Sequence, residues 1–514
     1  MTGPISITVD PDDIHDLVTI RRLIEAKASG AFQEFKILKR SIDSRRKRPR
    51  YILQVALDPE AEPALSPRFE PVEGAAPSAL VVGAGPAGYF AALSLIELGI
   101  RPVILEQGQP VEKRRKTIAQ LLRKGTLDPL SNYSFGEGGA GAFSDGKLYT
   151  RSTKRGDVSR ILRILVHHGA SPAILVDAQP HVGSDKLPGI IRRMRETITN
   201  CGGRIHFGAK VTGITRSGIG IGEIRLDDGS TVGGDALILA AGGCARGLYR
   251  SLYADGIAMA AQGVAMGFRV EHPQALVDRA QYGKAPRHPH LPPAIYKVVT
   301  QSDGRGVYSF CMCPGGLVVP AATQNGELTV NGMSFSRRNG AFANAGLVVE
   351  IRRGDLPPAT ETGPFDVMEF QEKLEQRAFL MGGGNSQRAP AQRLVDFAAG
   401  RPSATLPPSS YLPGLSSAPL HTLFPEEMTN RFRGALASFE GKLRGFSSSE
   451  ALLIGVESRT SSPVRIQRDP QTLMHPGAPG LFPCGEGAGY AGGIVSSAID
   501  GERVAGQVAL FLKR

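Results

Sequence analysis

Leu80-Val81-Val82-Gly83-Ala84-Gly85-Pro86-Ala87-Gly88 is an apolar run that ends on a Gly-x-Gly-x-x-Gly turn. Phe90-Ala91-Ala92-Leu93-Ser94-Leu95-Ile96-Glu97-Leu98 follows with the composition of a helix. The pattern predicts strand, tight turn, helix. Gly83 allows the turn, Gly85 lets backbone approach a pyrophosphate, and Gly88 lets the helix lie close on the strand. The phosphates would rest on free N–H groups at the helix N-terminus, where the helix dipole favours negative charge. Beyond Gly99 a second apolar run, Pro102-Val103-Ile104-Leu105, ends on Glu106. An acid about 20 residues after the glycines is what the ribose hydroxyls of a dinucleotide require. The glycines alone would suit any tight strand–helix turn. With strand, helix and Glu106 in register, they predict dinucleotide binding.

Further glycine clusters lie on either side of a long middle section. The segment FGEGGAGAFSDGK at 135–147 brings backbone, Gly138 and Gly139 included, close to something flat or phosphorylated. A buried strand over 235–241 breaks on Gly242 and Gly243. GLFPCGEGAGYAGGI at 480–494 is again strand, Gly-rich turn and the start of a helix that runs to Phe511. Two anion-cradling turns, one near each end of the main body, predict one long ligand bridged between them.

The remaining order is α/β with a β-rich interruption. Helices are expected over 111–124 and 187–200, and strands over 204–207 and 210–215. From residue 270 to 399 alternating strands, such as 294–299 and 346–351, lack a βαβ rhythm and suggest an antiparallel layer. Gly382-Gly383-Gly384 reads as a helix stop and 400–417 as a connector. At the start, 5–9 alternates like a strand, Asp12 or Asp13 can cap a helix with Leu17, Ile20 and Ile24 on one face, and 32–42 and 51–57 are two more strands. Residues 58–78 are rich in Pro, Glu and Ala without periodicity, which predicts a linker and a separable N-terminal unit.

Composition narrows the class. Of 514 residues, 41% are hydrophobic and 21% charged, ordinary for a soluble globular protein. No apolar stretch approaches the ~18 residues that span a bilayer, and the N-terminus carries no basic region followed by an apolar core. Membrane attachment is not expected. Five scattered cysteines predict a cytoplasmic location. Cys311-Met312-Cys313 is not a CxxC pair and no second pair completes a zinc site, so no metal is expected and these read as buried thiols. The net charge is +12, and residues 1–57 hold 11 Lys/Arg against 7 Asp/Glu, with the run Arg45-Arg46-Lys47-Arg48. Without interleaved aromatics that run reads as a solvated hairpin tip, and nucleic acid is disfavoured as a partner.

With these segments in place the chain resembles the FAD-dependent dehydrogenases of the glutathione-reductase-like flavoprotein superfamily, and more narrowly a bacterial family of FAD-dependent dehydrogenases or oxidoreductases of about this length. FGEGGAGAFSDGKL (135–148), VEHPQ (270–274), GVESRTSSPVRI (455–466) and FPCGEGAGYAGGI (482–494) carry the resemblance. It implies FAD as cofactor. Gly83, Gly85 and Gly88 would hold the pyrophosphate, Glu106 the adenosine ribose and Val211 the adenine through its backbone. Gly485 and Glu486 would face the ribityl and pyrophosphate, and Gly492, Gly493 and Ile494 the pyrimidine edge of the flavin. Gly138, Gly139 and Gly242 are counted with these cofactor-binding residues.

The fold expected is α/β: a Rossmann-like FAD-binding domain with an inserted antiparallel β-rich substrate domain, plus a small N-terminal α+β domain. Its parts are residues 1–57, a linker at 58–77, FAD-binding residues 78–269, the insert at 270–447, and FAD-binding completion at 448–514. No second strand–GxGxxG–helix occurs, so a dedicated NAD(P)H domain is not expected. No cysteine pair follows Gly88 in its helix, which argues against a disulfide reductase. The expected activity is hydride or electron transfer at the flavin with a small-molecule substrate. A cationic helper at the flavin is sought among Arg459, His272 and Arg269, with Tyr282 beside them, and Arg459 stands first. For each of these a structural role is the plain alternative. The rival class is a non-enzymatic FAD-binding or RNA-associated protein acting through the basic N-terminal domain. Substrate, electron partner and oligomeric state are not encoded in any motif.

Overall fold

The computed structural model describes residues 3–45, 48–59, 67–150, 155–217, 220–283, 286–357 and 363–513. Ser78–Val82 is the middle strand of a five-stranded parallel sheet in the order Leu481–Pro483, Ala236–Leu239, Ser78–Val82, Arg101–Glu106, Arg204–Phe207. The chain leaves the middle strand to one side and returns on the other. The strand order reverses there, and a crevice opens at the C-terminal strand ends. Helix Pro86–Glu97 is buried on nearly every side, as its Ala- and Leu-rich composition requires. It lies between the sheet and the closing helix Ile494–Leu512. A Cβ on Gly501 would stand 2.3 Å from the Ala87 carbonyl oxygen, so glycine sets how closely these two helices approach.

The second body is a seven-stranded sheet: Val299–Ser302, Arg305–Cys313, Phe342–Ile351, Val264–Pro273, Leu452–Glu457, Ala389–Arg393, Leu415–Ser417. Its pairings are antiparallel except for the last. Phe268 from the central strand meets Phe397, Phe424 and Phe432 in edge-on or tilted contacts, which fixes the covering helix Glu426–Lys442. This sheet differs from the expected division in two places. Val264–Pro273 runs across residue 270, and its buried first half shows no alternation to read. Leu452–Glu457, placed with the flavin part in the sequence reading, pairs with Val264–Pro273 instead. The chain re-enters the parallel sheet only at Leu481–Pro483. Residues 294–298 are not a strand. The amides of Ala294 and Val298 are taken by the side chains of Asp278 and Ser309, and pairing starts at Val299.

The N-terminal residues form a three-stranded sheet, Ile5–Val9, Arg50–Leu57, Phe35–Asp43, covered by helix Leu17–Glu25. Asp16 caps that helix, accepting from the amides of Val18 and Thr19, in place of Asp12 or Asp13. Ile20 and Ile24 are buried but Leu17 is 64% exposed, so the apolar face is narrower than the sequence suggests. Arg46 and Lys47 of the basic run lie outside the described residues. The unit is attached at two further places. Arg40 bridges to Asp177 by backbone and side chain. On the other side Tyr51 donates to the His290 carbonyl, and Leu291 enters the N-terminal core. The expected linker also packs at its far end, where the Val72 amide donates to the Cys201 carbonyl.

Candidate functional site

The first turn has the geometry its glycines predict. Gly83 has φ +105°, donates to the Leu105 carbonyl, and a Cβ there would stand 2.4 Å from the Ala240 oxygen. A Cβ on Gly88 would meet the Gly83 oxygen at 2.0 Å, which is the close helix–strand packing the third glycine exists to permit. Gly85 caps helix Pro86–Glu97 and lies against Gly139 of the second glycine cluster. Glu106, at the end of its strand, accepts from the amides of Ala84, Gly108 and Gly136, each at 2.9 Å. Three of about four acceptor positions are filled, leaving one for a ribose hydroxyl.

The 132–139 loop is tied to this turn by residues the sequence reading passed over. The Gly138 amide donates to the Ala84 carbonyl, and a Cβ on Gly138 would collide with Ile191. Arg114, fully buried, donates to the carbonyls of Asn132, Tyr133, Gly136 and Glu137. Burial pulls its guanidinium down to about 10, still charged at neutral pH. The Glu137 carboxylate accepts from Tyr89, from the Val111 amide and from Arg195. Arg114 and Arg195 belong to helices that read simply as basic and amphipathic. The loop's carbonyls give Arg114 its purpose, and the Glu137 and Glu112 carboxylates give Arg195 its own.

The other half of the crevice is lined by Gly242, Gly485, Glu486 and the start of the closing helix. The Gly485 amide donates to Asp500, and burial, then the charge of Cys311, pushes the Glu486 carboxyl up to about 7. Among the described residues a Cβ on Gly242, Gly492 or Gly493 would meet nothing within 4 Å. These positions border open space, and Gly493 caps Ile494–Leu512. The Ala209 amide donates to the Glu106 carbonyl and so sets the approach of Val211, first residue of the next strand, beside Glu106. Free helix N-termini, glycines facing space and one spare acceptor on Glu106 fit a bound dinucleotide.

The expected helpers are engaged elsewhere. Arg459 is a member of a buried ion network: it donates to Glu375, Glu327 and Thr323, and Arg246 donates to the same two carboxylates. His272 bonds the Phe446 carbonyl at 2.8 Å and faces Tyr296, and burial pulls it down to about 4, so it is a neutral core histidine. Tyr282 packs on the N-terminal core and donates to the Pro292 carbonyl. Arg269 is fully buried, forked onto Glu457 at 2.8 and 2.9 Å and bonded to the Cys311 carbonyl and the Cys313 sulfur.

Arg269 adjoins a cluster that the sequence does not announce. Lys147, last residue of the 135–147 segment, places its ammonium 3.6 Å from both Cys311 and Cys313 sulfurs and 3.7 Å from Asp145. Asp145 is held in turn by Arg338. Cys313 is buried as expected, but Cys311 is exposed. The reason is a break in register between Phe310 and Cys313, with Cys311 at φ +46°.

An uncharacterised protein from Clostridium beijerinckii is 42% identical over 430 residues, spanning 83% of this chain and 79% of its own length. The chain belongs to the family of that protein. Residues 263–460 match a family model described as FAD-dependent protein, C-terminal domain-like, and residues 1–58 match a domain of unknown function. FAD is the cofactor of this chain. The family match begins one residue before the first strand of the seven-stranded sheet and ends just after Leu452–Glu457. Looser likenesses reach 2,6-dihydroxypyridine-3-hydroxylase from Arthrobacter nicotinovorans (11% identity, 86% of this chain and 85% of that one, TM-score 0.37). CtdE in complex with FAD is similar at the same level (13%, 85% and 88%, TM-score 0.34). Neither likeness speaks for the activity of this chain. Among the described residues no helix is long and apolar enough to cross a membrane.

Proposed function

We propose that the protein is a flavin-dependent oxidoreductase, a dehydrogenase that moves hydride or electrons to or from a small-molecule substrate, built on a flavin-binding half of the glutathione-reductase-like kind. The observation that carries this reading is the crevice bounded by two glycine turns, with Glu106 at one end and Gly493 at the other. FAD, when bound, supplies the two-electron chemistry. The chain supplies the rest. The amides opening helix Pro86–Glu97 hold the diphosphate, and Glu106 accepts from the ribose. The amides opening Ile494–Leu512 offer positive dipole ends to the far side of the crevice. Glu486, with its carboxyl near neutrality, can hold or release a proton there. Arg269, sought as a cationic helper at the flavin, is read instead as a positioning residue, because it is paired with Glu457 and bonds the Cys311 carbonyl and the Cys313 sulfur.

The reading is tested by releasing and identifying the cofactor of the purified protein, then following anaerobic reduction and reoxidation of the bound flavin. NADH and NADPH are expected to reduce it slowly, since the sequence holds one glycine turn of the dinucleotide type. A protein purified without flavin, or whose flavin cannot be cycled by any electron donor, would sink the proposal.

A further inference from the structure

Cys311 and Cys313 are two residues apart on one strand. In a regular strand such residues share a face but stand about 6.6 Å apart along it. Here the register breaks between Phe310 and Cys313, and Cys311 takes a left-handed backbone conformation that a non-glycine residue rarely adopts. The result brings both sulfurs onto one ammonium, Lys147 Nζ, at 3.6 Å each. The two sulfurs are not equivalent. Cys313 is buried, its S–H is shared between the Cys311 sulfur and the Cys311 carbonyl at 3.4 Å, and that hydrogen bond together with burial raises its thiol well above the ordinary range. Cys311 is exposed and receives the lysine N–H. Lys147 ends the segment whose Gly139 lies against Gly85 and whose Gly141 would place a Cβ 3.3 Å from Ile494, so the two sulfurs stand where that segment passes from the crevice to the seven-stranded sheet. A hydrogen bond from Cys313, with Lys147 and Arg269 countering burial, lowers the Cys311 thiol well below its ordinary range.

We propose that Cys311 and Cys313 form a redox-active dithiol, with Cys311 as the exposed thiolate anchored by Lys147, that exchanges electrons between the bound flavin and a small thiol or disulfide. This rests on the flavin-dependent reading above. In the oxidising direction an S–S bond forms between the two sulfurs as the Cys313 S–H bond breaks. The two electrons and that proton pass together, as a hydride equivalent, to the oxidised isoalloxazine, and no other oxidant is required. A small dithiol restores the pair by thiol–disulfide exchange, attacking first at the exposed Cys311 sulfur and becoming a disulfide itself. The cysteine pair that is absent from the helix after Gly88 is thus supplied by strand Arg305–Cys313 of the seven-stranded sheet. Lys147 is a positioning residue: it holds charge at Cys311 and does not itself gain or lose electrons.

Two measurements separate this proposal from the one it rests on. In the first, the protein with or without its flavin is treated with limiting iodoacetamide and the modified cysteines are mapped. Cys311 is expected to react at least about tenfold faster than Cys201, Cys244 and Cys484, and Lys147→Met is expected to erase the difference. In the second, dithiothreitol is added anaerobically to the flavin-loaded protein. The wild-type flavin is expected to bleach, while Cys311→Ser and Cys313→Ser bleach more than about tenfold more slowly. Dithionite should reduce all three alike. Equal alkylation of all cysteines, or bleaching of Cys311→Ser by dithiothreitol at the wild-type rate, overturns the dithiol. Absence of flavin from a protein whose Cys311 is still fast overturns the flavin reading and leaves the thiolate standing.

Discussion

Arg459 and Glu375 form a forked ion pair, Nε to Oε1 at 2.9 Å and Nη2 to Oε2 at 2.6 Å. Arg246 reaches the same Oε1 at 2.8 Å. Two guanidiniums around one fully buried carboxylate hold it well below its ordinary range even though burial works the other way. Deleting Arg459 leaves the buried Glu375 and Glu327 carboxylates to share Arg246 alone, at a cost of up to about 3–5 kcal/mol. Arg459→Ala is therefore expected to lower the midpoint of urea unfolding sharply. A variant of unchanged stability with impaired flavin reduction would return Arg459 to the reaction.

Gly493→Val separates ligand from fold. The residue is extended, at φ 165°, a conformation valine adopts, and a Cβ there meets no described atom within 4 Å. The variant should fold as well as the wild type and lose most of its FAD. Full flavin absorbance in the variant would mean that the closing helix does not touch the cofactor. Gly83→Val is the contrasting case: its Cβ strikes the Ala240 carbonyl, so cofactor and stability should fall together.

Arg114→Met is expected to cost about 3 kcal/mol or more and to weaken FAD binding. Four carbonyls of the 132–137 loop lose their donor at once, while the apolar stem of the side chain is retained. Thermal unfolding and flavin retention on dialysis measure the two effects. A loss of stability without a loss of flavin would detach this loop from the cofactor.

Glu486 gives a pH dependence of definite sign. Its carboxyl stands at about 7 in the folded protein against an ordinary 4.5. A raised value contributes stability that is complete below pH 4.5 and is lost as pH rises through 7. Glu486→Gln removes that loss. The variant apoprotein should match the wild type in acid and exceed it at about pH 8 by on the order of 2 kcal/mol, less than full conversion because Glu486 is only partly buried. An equal advantage at both pH values would place the effect elsewhere.

Some elements were legible in the sequence to the residue, while the strand expected over 32–42 runs over Phe35–Asp43 and the first helix is capped by Asp16. Val111–Lys124, Leu187–Asn200 and Arg204–Phe207 fall where apolar periodicity and glycine stops put them. The turn at Gly83 was legible because each glycine answers to a contact within its own strand–helix unit. What could not be read depends on partners distant in the chain. Arg459 is paired by Glu375, 84 residues away, and Arg269 by Glu457, 188 residues away. The start at Val264 was hidden because a strand buried on both faces has no alternation. Cys311 looked like a buried thiol because nothing local reveals a bulge set by the neighbouring strand Phe342–Ile351.

The small N-terminal sheet touches both large bodies. Arg40 is zipped to Asp177, in the segment that leads to helix Leu187–Asn200 of the nucleotide-binding body. Tyr51, Asp12 and the Pro11 carbonyl grip His288 and His290, in a loop of the β-rich body. Mechanically this is a strut. The two bodies already meet through Arg246 and Glu375 and through Asp145 and Arg338, and a third piece pinned to both adds contacts that any rocking must shear. Those contacts are a few hydrogen bonds, partly exposed ion pairs and the burial of Leu291 in the N-terminal core. The unit thus adds its own contacts to the load against separating the two bodies, and a chain cut at Ser78 would carry the same crevice without them.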